Sequence, residues 1–298
     1  YEISACLVGS EDVYKRQLWL LPDFEEHHHN GECGIGSSNP GTFIRTMFQN
    51  VGNRKAKVEL VQHRFPIGAS WVMTLVISSL VGRCGSSVPA GETKDESTGD
   101  FSSFYTYDEA LPLSVMEETI KDENTYIVYR VYFDSVNAER VPGLLSIPKG
   151  QENVPCIVFL HGYGGSKEDV LTLTELAADE GYALMAIDAE FHGERKEDGK
   201  ALYSLDLNAS RNGIIQTVID LRRAVDYLET RPEIDKAKIG YVGGSMGGIL
   251  GAIFIGVEPR IKAAALLVAG GNMSLMIRES QHYAVPGIRE DLETQGVS

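Results

Sequence analysis

The feature that most constrains this chain is an apolar run that ends in a glycine-rich turn and passes directly into a small-residue helix. The turn is Gly243-Gly-Ser-Met-Gly247, and the apolar run before it is Ile239–Val242. A G-x-S-x-G sequence in this setting predicts a sharp strand-to-helix turn that holds the serine in a strained backbone conformation. The residues two before and two after Ser245 must then be small, because larger side chains would clash there. The alternative is a Gly-Ser turn that closes any parallel-sheet βα unit.

The rest of the chain has the pattern of a layered α/β domain from residue 124 onward. Tyr126–Asp134 alternates apolar and polar residues, and Val141–Pro148 follows after a turn-rich gap, which predicts an antiparallel pair of strands. Helices are predicted over 167–180, with Leu171, Leu173, Leu176 and Ala177 inward, and over 214–229. Four continuous apolar runs predict strands buried on both faces: Cys156–Leu160, Ala183–Ile187, Ile239–Val242 and Ala263–Val268.

Polar motifs follow three of these buried strands directly. His161-Gly-Tyr-Gly-Gly follows the first, Asp188-Ala-Glu-Phe-His192-Gly-Glu follows the second, and the Ser245 turn follows the third. Strand–helix alternation with fully apolar strands predicts a parallel sheet with helices on both faces. Active sites in such sheets lie at the carboxyl ends of the strands. The three motifs are therefore expected to meet at one edge of the sheet.

Composition excludes several kinds of partner and site. The formal net charge of −15 argues against nucleic acid or an anionic membrane surface as the main partner. The four cysteines, Cys6, Cys33, Cys84 and Cys156, form no CxxC pair and no zinc spacing, so neither a disulfide framework nor a metal site is expected. His27-His-His29 is interpreted as a solvated loop or untranslated sequence rather than a metal site. Cys156 lies inside an apolar strand and is expected in the core.

The segments before residue 124 are predicted to lie outside the folded domain. Asp12–Gln17 resembles a translated sequencing adapter, so 1–17 is interpreted as an artefact, and 18–53 is unassigned and expected to be disordered. Residues 54–84 have a basic start and the uncharged run Phe65–Gly82, the pattern of a signal peptide or membrane anchor. Residues 85–123 are rich in acidic residues and predict a linker.

The motifs between 124 and 290 resemble the α/β-hydrolase superfamily, and within it the branch of dienelactone hydrolases, acetyl xylan esterases and prolyl-oligopeptidase-like proteins. The resemblance rests on the antiparallel pair before Pro155 and on the three motifs at the strand ends, taken in order. It implies a partial α/β-hydrolase fold over 124–298: a mostly parallel, doubly wound sheet with the last strands missing. Apart from this resemblance, Cys84-Gly-Ser-Ser after the uncharged run resembles the lipid-modified cysteine of a bacterial lipoprotein, although Arg83 departs from that pattern. An exported or membrane-anchored protein is therefore expected, and a cytoplasmic one is the alternative.

The resemblance assigns roles to five residues. Ser245 would attack an acyl carbonyl and form an acyl-enzyme, and the backbone N–H groups of Tyr163 and Met246 would form the oxyanion hole. His161 and His192 would support loops rather than act as bases. No metal and no organic cofactor are implied.

The triad acid and base are the part of the pattern that the sequence does not supply. In this fold they follow the serine in the order acid, then histidine, on loops after further strands. The chain ends 53 residues after Ser245 without such strands, so we expect a truncated and nearly inactive enzyme with an open apolar edge beyond Ala263–Val268. Glu279 and His282 are the alternative dyad.

The sequence therefore predicts a serine hydrolase of the carboxylesterase or acetylesterase type that cleaves small esters. Two alternatives remain at this point: a serine peptidase of the prolyl-oligopeptidase type, and a non-catalytic, hydrolase-like binding lipoprotein. No repeat of a propeller domain precedes the domain in this sequence, which disfavours the peptidase. The identity of the acyl and alcohol groups and the oligomeric state are not encoded in these motifs.

Overall fold

The computed structural model describes residues 2–9, 59–64, 101–269, 278–279 and 285–294. The strands are β1 (Glu2–Gly9), β2 (Glu59–Arg64), β3 (Met116–Asp122), β4 (Tyr126–Asp134), β5 (Arg140–Pro148), β6 (Val154–Leu160), β7 (Ala183–Ile187), β8 (Ile234–Gly244) and β9 (Ile261–Leu267). The α-helices are α1 (Thr174–Asp179), α2 (Leu207–Thr230), α3 (Met246–Val257) and α4 (Pro286–Thr294). Short 3₁₀ helices cover Phe101–Tyr105, Val136–Ala138, Lys167–Leu173 and Gly193–Arg195.

The described strands form one mixed sheet in the order β2-β1-β9-β8-β6-β7-β5-β4-β3. The centre, β7-β6-β8-β9, is parallel, while β3, β4 and β5 form an antiparallel meander that joins the centre through β7. The predicted α/β class is thus confirmed, and so is the antiparallel pair β4–β5.

Helices cover the parallel centre on both faces, as alternation along the strands shows. In β6, Cys156, Val158 and Leu160 belong to the core cluster that contains residues of α2 and α3. Ile157 and Phe159 belong to the opposite cluster, which contains Ala177 and Ala178 of α1. Successive side chains of a strand point to opposite faces, so each buried strand contributes to both cores.

The strand order changes direction at β6. The chain passes from β6 to β7 on one side and then returns through α2 to β8 on the other side. Crevices for ligands form outside the carboxyl ends of strands at such a switch point. The loop after β6 and the turn after β8 lie at the same edge of the sheet, as the sequence motifs predicted, because Leu160 and Gly243 pair at the ends of these parallel strands.

Several predicted boundaries are corrected by the structure. The predicted linker 85–123 ends too late, because β3 is part of the sheet and pairs with β4. The segment before β3 also lies on α2: the Arg223 guanidinium donates to the carbonyl of Leu111 at 2.8 Å, and that of Arg222 donates to the carbonyl of Tyr105 at 2.6 Å. Two arginines of α2 therefore hold a stretch whose composition alone resembles a linker.

Two helices also differ from their predicted extents. The predicted helix 167–180 is a 3₁₀ turn followed by the short helix α1, and Leu171 is exposed rather than inward. Helix α2 begins seven residues before its predicted start, at Leu207, where the Asp206 side chain accepts a hydrogen bond from the N–H of Ala209 at 2.9 Å. This N-cap stabilises a first turn that has no apolar periodicity.

The edge beyond β9 is not open in the described chain, so that expectation is wrong: β1 pairs antiparallel with β9, and β2 pairs with β1. These two strands fall inside segments 1–17 and 54–84. Asp12–Gln17, 18–53, Phe65–Gly82 and Cys84 lie outside the described residues. Within the described ranges, no helix is both long enough and apolar enough to cross a membrane.

Candidate active site

Ser245 occupies a strained position between β8 and α3. Its backbone has φ 54° and ψ −116°, outside the regions that L-residues prefer, and its side chain is exposed. The turn is fixed from both sides, since the N–H of Ser245 donates to Leu267 of β9 at 2.8 Å and its carbonyl accepts from Ile249 at 2.9 Å. The serine hydroxyl is therefore presented to solvent by a backbone that cannot relax easily.

The glycines on either side of the serine are required by close backbone packing. A Cβ atom at Gly243 would lie 2.3 Å from the carbonyl oxygen of Gly247. A Cβ atom at Gly247 would lie 2.1 Å from the carbonyl oxygen of Leu160 at the end of β6. The sequence argument that these two positions must be small is confirmed. The second contact also fixes the distance between the serine turn and the loop that follows β6.

The predicted oxyanion donors flank Ser245. Met246 is the first residue of α3, so its N–H has no partner within the helix and points out of the helix amino terminus. Tyr163 lies in the loop after β6, where a Cβ atom on the neighbouring Gly162 would be 3.8 Å from Cβ of Ser245. The catalytic roles of both N–H groups stay predictions.

His161 is enclosed by backbone groups. It is fully buried, its Nδ1 lies 2.8 Å from the carbonyl of Gly162, and its Nε2 accepts from the N–H of Ala189 at 3.1 Å. Burial lowers the pKa of His161, with an opposing contribution from its bond to the Gly162 carbonyl. Both ring nitrogens are used, which agrees with the predicted supporting role.

His192 packs behind the same loop. Its ring lies 5.1 Å from that of His161 and 5.3 Å, edge to face, from that of Tyr163. Its Nδ1 lies 2.8 Å from the carbonyl of Glu190. Burial lowers the pKa of His192, so the ring is neutral near neutral pH. Tyr203 completes this aromatic group by stacking on Tyr163 at 5.4 Å, a contact that the sequence did not indicate.

A buried ion pair anchors the loop after β7. The side chains of Lys167 and Asp188 are both fully buried, with Nζ 2.9 Å from Oδ2, and Asp188 also accepts from the backbone N–H groups of Lys167 and Glu194. The Lys167 ammonium additionally contacts Glu194 at 2.7 Å. This pair joins the segments that follow β6 and β7. The sequence motif included Asp188, but Lys167 carried no signal because it lay in a predicted helix.

A second charge cluster surrounds Arg195. Its guanidinium contacts Glu190 and lies 2.6 Å from the fully buried Asp220 and 3.2 Å from Glu139. Burial raises the pKa of Glu190 to about 7, although the Arg195 charge opposes this shift. Three carboxylates thus share one guanidinium.

The remaining candidates lie apart from the serine. Cys156 is fully buried in β6, as predicted, and burial raises the pKa of its thiol. Glu279 is exposed, while His282 and His27-His-His29 lie outside the described residues. In the described part of the chain, no side chain forms a hydrogen bond with the Ser245 hydroxyl, and no group of three or more potential ligands could hold a metal ion.

The chain is similar in sequence to two bacterial proteins. "Putative hydrolase YtaP" from Bacillus subtilis (strain 168) is 26% identical over 200 residues, which are 59% of this chain and 66% of that protein. "Putative esterase YitV" from the same organism is 28% identical over 145 residues, 48% of this chain and 56% of that protein. The chain therefore spans less than two thirds of the length of these relatives.

The chain is also similar to a solved structure. The acetyl xylan esterase from Paenibacillus sp. R4 is 25% identical, covers 57% of this chain and 60% of its own, and has a TM-score of 0.47.

The decisive comparison is with a family model. The model of the acetyl xylan esterase family (AXE1) matches residues 92–269, which include the loop after β6, the loop after β7 and the serine turn. This match starts before β3, in agreement with the corrected boundary of the domain, and it covers more than half of the chain. The chain belongs to the acetyl xylan esterase family.

Proposed function

We propose that this protein is a serine esterase that cleaves small esters, acetyl esters in particular, through an acyl-enzyme on Ser245. The observation that carries the proposal is the strained, exposed Ser245 at the head of α3, beside the loop after β6. A serine held in this way is accessible to a carbonyl carbon, and the helix amino terminus favours the negative charge that develops on the carbonyl oxygen. Membership of the acetyl xylan esterase family supports an acetyl ester as substrate.

In the proposed reaction, Ser245 Oγ attacks the acetyl carbonyl carbon while a base takes its proton. The oxyanion of the tetrahedral intermediate accepts hydrogen bonds from the N–H groups of Met246 and Tyr163. Collapse of the intermediate expels the alcohol, which takes the proton back, and water then hydrolyses the acyl-enzyme to acetate by the same steps. Loss of one oxyanion donor typically lowers kcat by about 10²–10³-fold.

Neither His161 nor His192, the two histidines at the loop after β6, is proposed as the base. His161 uses both ring nitrogens in bonds to backbone groups, and the Nδ1 of His192 bonds to the carbonyl of Glu190. We propose instead that the acid and base lie outside the described residues. In the described part of the chain no side chain hydrogen-bonds to the Ser245 hydroxyl, and a serine without a base in place is a weak nucleophile at neutral pH, so we expect slow acylation. The dyad of Glu279 and His282 is the alternative to this expectation.

A fluorophosphonate probe and 4-nitrophenyl acetate test the proposal together. The wild-type chain should form one adduct, found on Ser245 by peptide mass spectrometry, and Ser245→Ala should form none. Ser103→Ala, which changes an exposed serine in the 3₁₀ turn Phe101–Tyr105, is the matched control and should react as wild type does. Adduct formation at the same rate in Ser245→Ala would refute the assigned nucleophile.

Two further comparisons separate the alternatives. Rapid labelling of the wild-type chain that is lost in His282→Ala would assign the base to His282 and overturn the expected slow reaction. Cleavage of a prolyl-peptide amide in preference to the acetyl ester would favour a peptidase over the proposed esterase. We expect the ester to be the preferred substrate.

A further inference from the structure

His161 has one ionisation and tautomeric state that fits its surroundings. The Ala189 N–H can only donate, so Nε2 of His161 must carry a lone pair. The carbonyl of Gly162 can only accept, so Nδ1 must carry the proton that it shares at 2.8 Å. The ring is thus a neutral Nδ1–H imidazole that joins the end of β7 to the first peptide of the loop after β6.

That peptide contains one of the two proposed oxyanion donors. The carbonyl of Gly162 and the N–H of Tyr163 belong to the same peptide unit, and the described chain has no cis peptide bond. In a planar trans peptide the C=O and N–H bonds point in opposite directions. The Gly162 carbonyl is held by His161 Nδ1–H and by the Gly165 N–H at 3.0 Å. Holding the oxygen therefore aims the Tyr163 N–H to the opposite side.

We propose that His161 is a positioning residue for the oxyanion donor Tyr163 N–H, and that it acts only as the neutral Nδ1–H tautomer. This proposal rests on the proposed esterase function of Ser245. A proton on Nε2 would place two donors, Nε2–H and Ala189 N–H, 3.1 Å apart. The ring would have to leave this position, and its bond to the Gly162 carbonyl would be lost with it. The protein would then lose one oxyanion donor at acid pH.

The groups that face His161 agree with a neutral ring at neutral pH. Burial lowers its pKa, and His192, 5.1 Å away at the end of β7, lowers the pKa further. Asp188, beside the end of β7, and Asp169, in the 3₁₀ turn after the loop, raise it. The Asp188 carboxylate is already bonded to Lys167. Helix α3, which packs against the same loop, has no charged side chain.

Nuclear magnetic resonance tests this proposal without relying on turnover. The full chain, labelled with ¹⁵N at histidine and tyrosine, is titrated between about pH 8 and about pH 5, the range in which imidazoles change charge. One histidine signal, absent from the spectrum of His161→Asn, should show the Nδ1–H tautomer. Its titration midpoint should lie below 6.5, the ordinary pKa of histidine. The backbone amide of Tyr163 is identified by its absence from the spectrum of Tyr163→Phe labelled in the same way. The chemical shift of this amide should change with the same midpoint.

Two conservative variants separate positioning from mere packing. His161→Asn offers an amide N–H near the place of Nδ1 and cannot titrate, whereas His161→Gln offers an acceptor near the place of Nε2. We expect His161→Asn to retain more of the Ser245 acylation rate than His161→Gln. His161→Asn should also abolish the change of the Tyr163 amide chemical shift at acid pH. Gln should lower acylation by about 10²-fold, the usual loss for one oxyanion donor.

Each outcome bears on one proposal. A Tyr163 amide that ignores the His161 titration, or an Nε2–H tautomer at neutral pH, would overturn the positioning role. Absence of any Ser245 adduct while the amide still follows His161 would instead count against the esterase proposal and leave the positioning geometry intact.

Discussion

The contact between Gly247 and the end of β6 allows a sharp test of how the serine turn is held. In Gly247→Ala, the new Cβ atom would lie 2.1 Å from the carbonyl oxygen of Leu160 and 2.9 Å from that of His161. Ordinary contact begins at 3.4 Å, so a gap of 1.3 Å (3.4 minus 2.1) must open between two backbone segments. No flexible side chain can absorb that movement.

The expected cost follows from this displacement. Overpacking a core typically costs about 1–3 kcal/mol, and backbone neighbours favour the upper end. Each kcal/mol lost from the free energy of unfolding lowers the melting temperature by about 2–4 °C in a domain of this size, so a loss of about 3 kcal/mol would lower it by roughly 10 °C. Because the loop with Tyr163 moves with β6, acylation of Ser245 should also fall by about 10²-fold. Thermal unfolding followed by circular dichroism and fluorophosphonate labelling measure the two effects.

Gly244→Ala is the matched control in the adjacent position. A Cβ atom at Gly244 meets nothing within 4 Å, and its φ is not in the left-handed region. The free energy of unfolding of Gly244→Ala should therefore remain within about 1 kcal/mol of the wild-type value. Equal melting temperatures for the two variants would refute the conclusion that backbone contact between β6 and α3 sets the geometry of the turn.

Three further changes test the charge clusters. Asp188→Asn should lower the free energy of unfolding in urea by about 3 kcal/mol, because it leaves the fully buried Lys167 ammonium without its buried partner; an unchanged urea midpoint would contradict that role. The pKa of Glu190 rises from its ordinary value of 4.5 to about 7 in the folded state, so between these pH values the folded protein binds more protons than the unfolded one. The free energy of unfolding is therefore lost as pH rises through this window. Glu190→Gln should thus raise the melting temperature at about pH 8 and change it little at about pH 4. Arg223→Met should make residues 101–115 accessible to limited proteolysis before the sheet unfolds, because the guanidinium holds carbonyl groups of that segment. If the segment and the sheet became protease-sensitive together, the segment would not be a separately held unit.

Local pattern was enough to locate the buried strands and the serine turn. β4 and β7 have their predicted ends, and the predicted strands that became β5, β6, β8 and β9 differ by one to five residues at one or both ends. β7 is a continuous apolar run and β4 alternates apolar and polar residues, so little competes with the strand interpretation of either segment. The requirement for small residues at Gly243 and Gly247 was also readable, since it follows from the turn itself.

The errors occurred where distant residues decide local structure. Residues 101–123 have a linker's composition, yet arginines of α2 bond to the carbonyls of this segment, and β3 pairs with β4. No short window of sequence contains both partners of the arginine contacts. The first turn of α2 was missed for a different reason, because its local N-cap Asp206 carries no apolar periodicity.

The sequence by itself determined the class of the fold and the position of the strained serine, because both depend on residues that are neighbours along the chain. Only the tertiary structure decided what surrounds the serine. The strand order brings the end of β6 between those of β7 and β8, so that His161 bonds to Ala189 and Gly247 packs on Leu160. These contacts join residues 28 and 87 positions apart (189 minus 161 and 247 minus 160), and hydrogen-bond direction and backbone clearance there are properties of the assembled sheet rather than of any one segment.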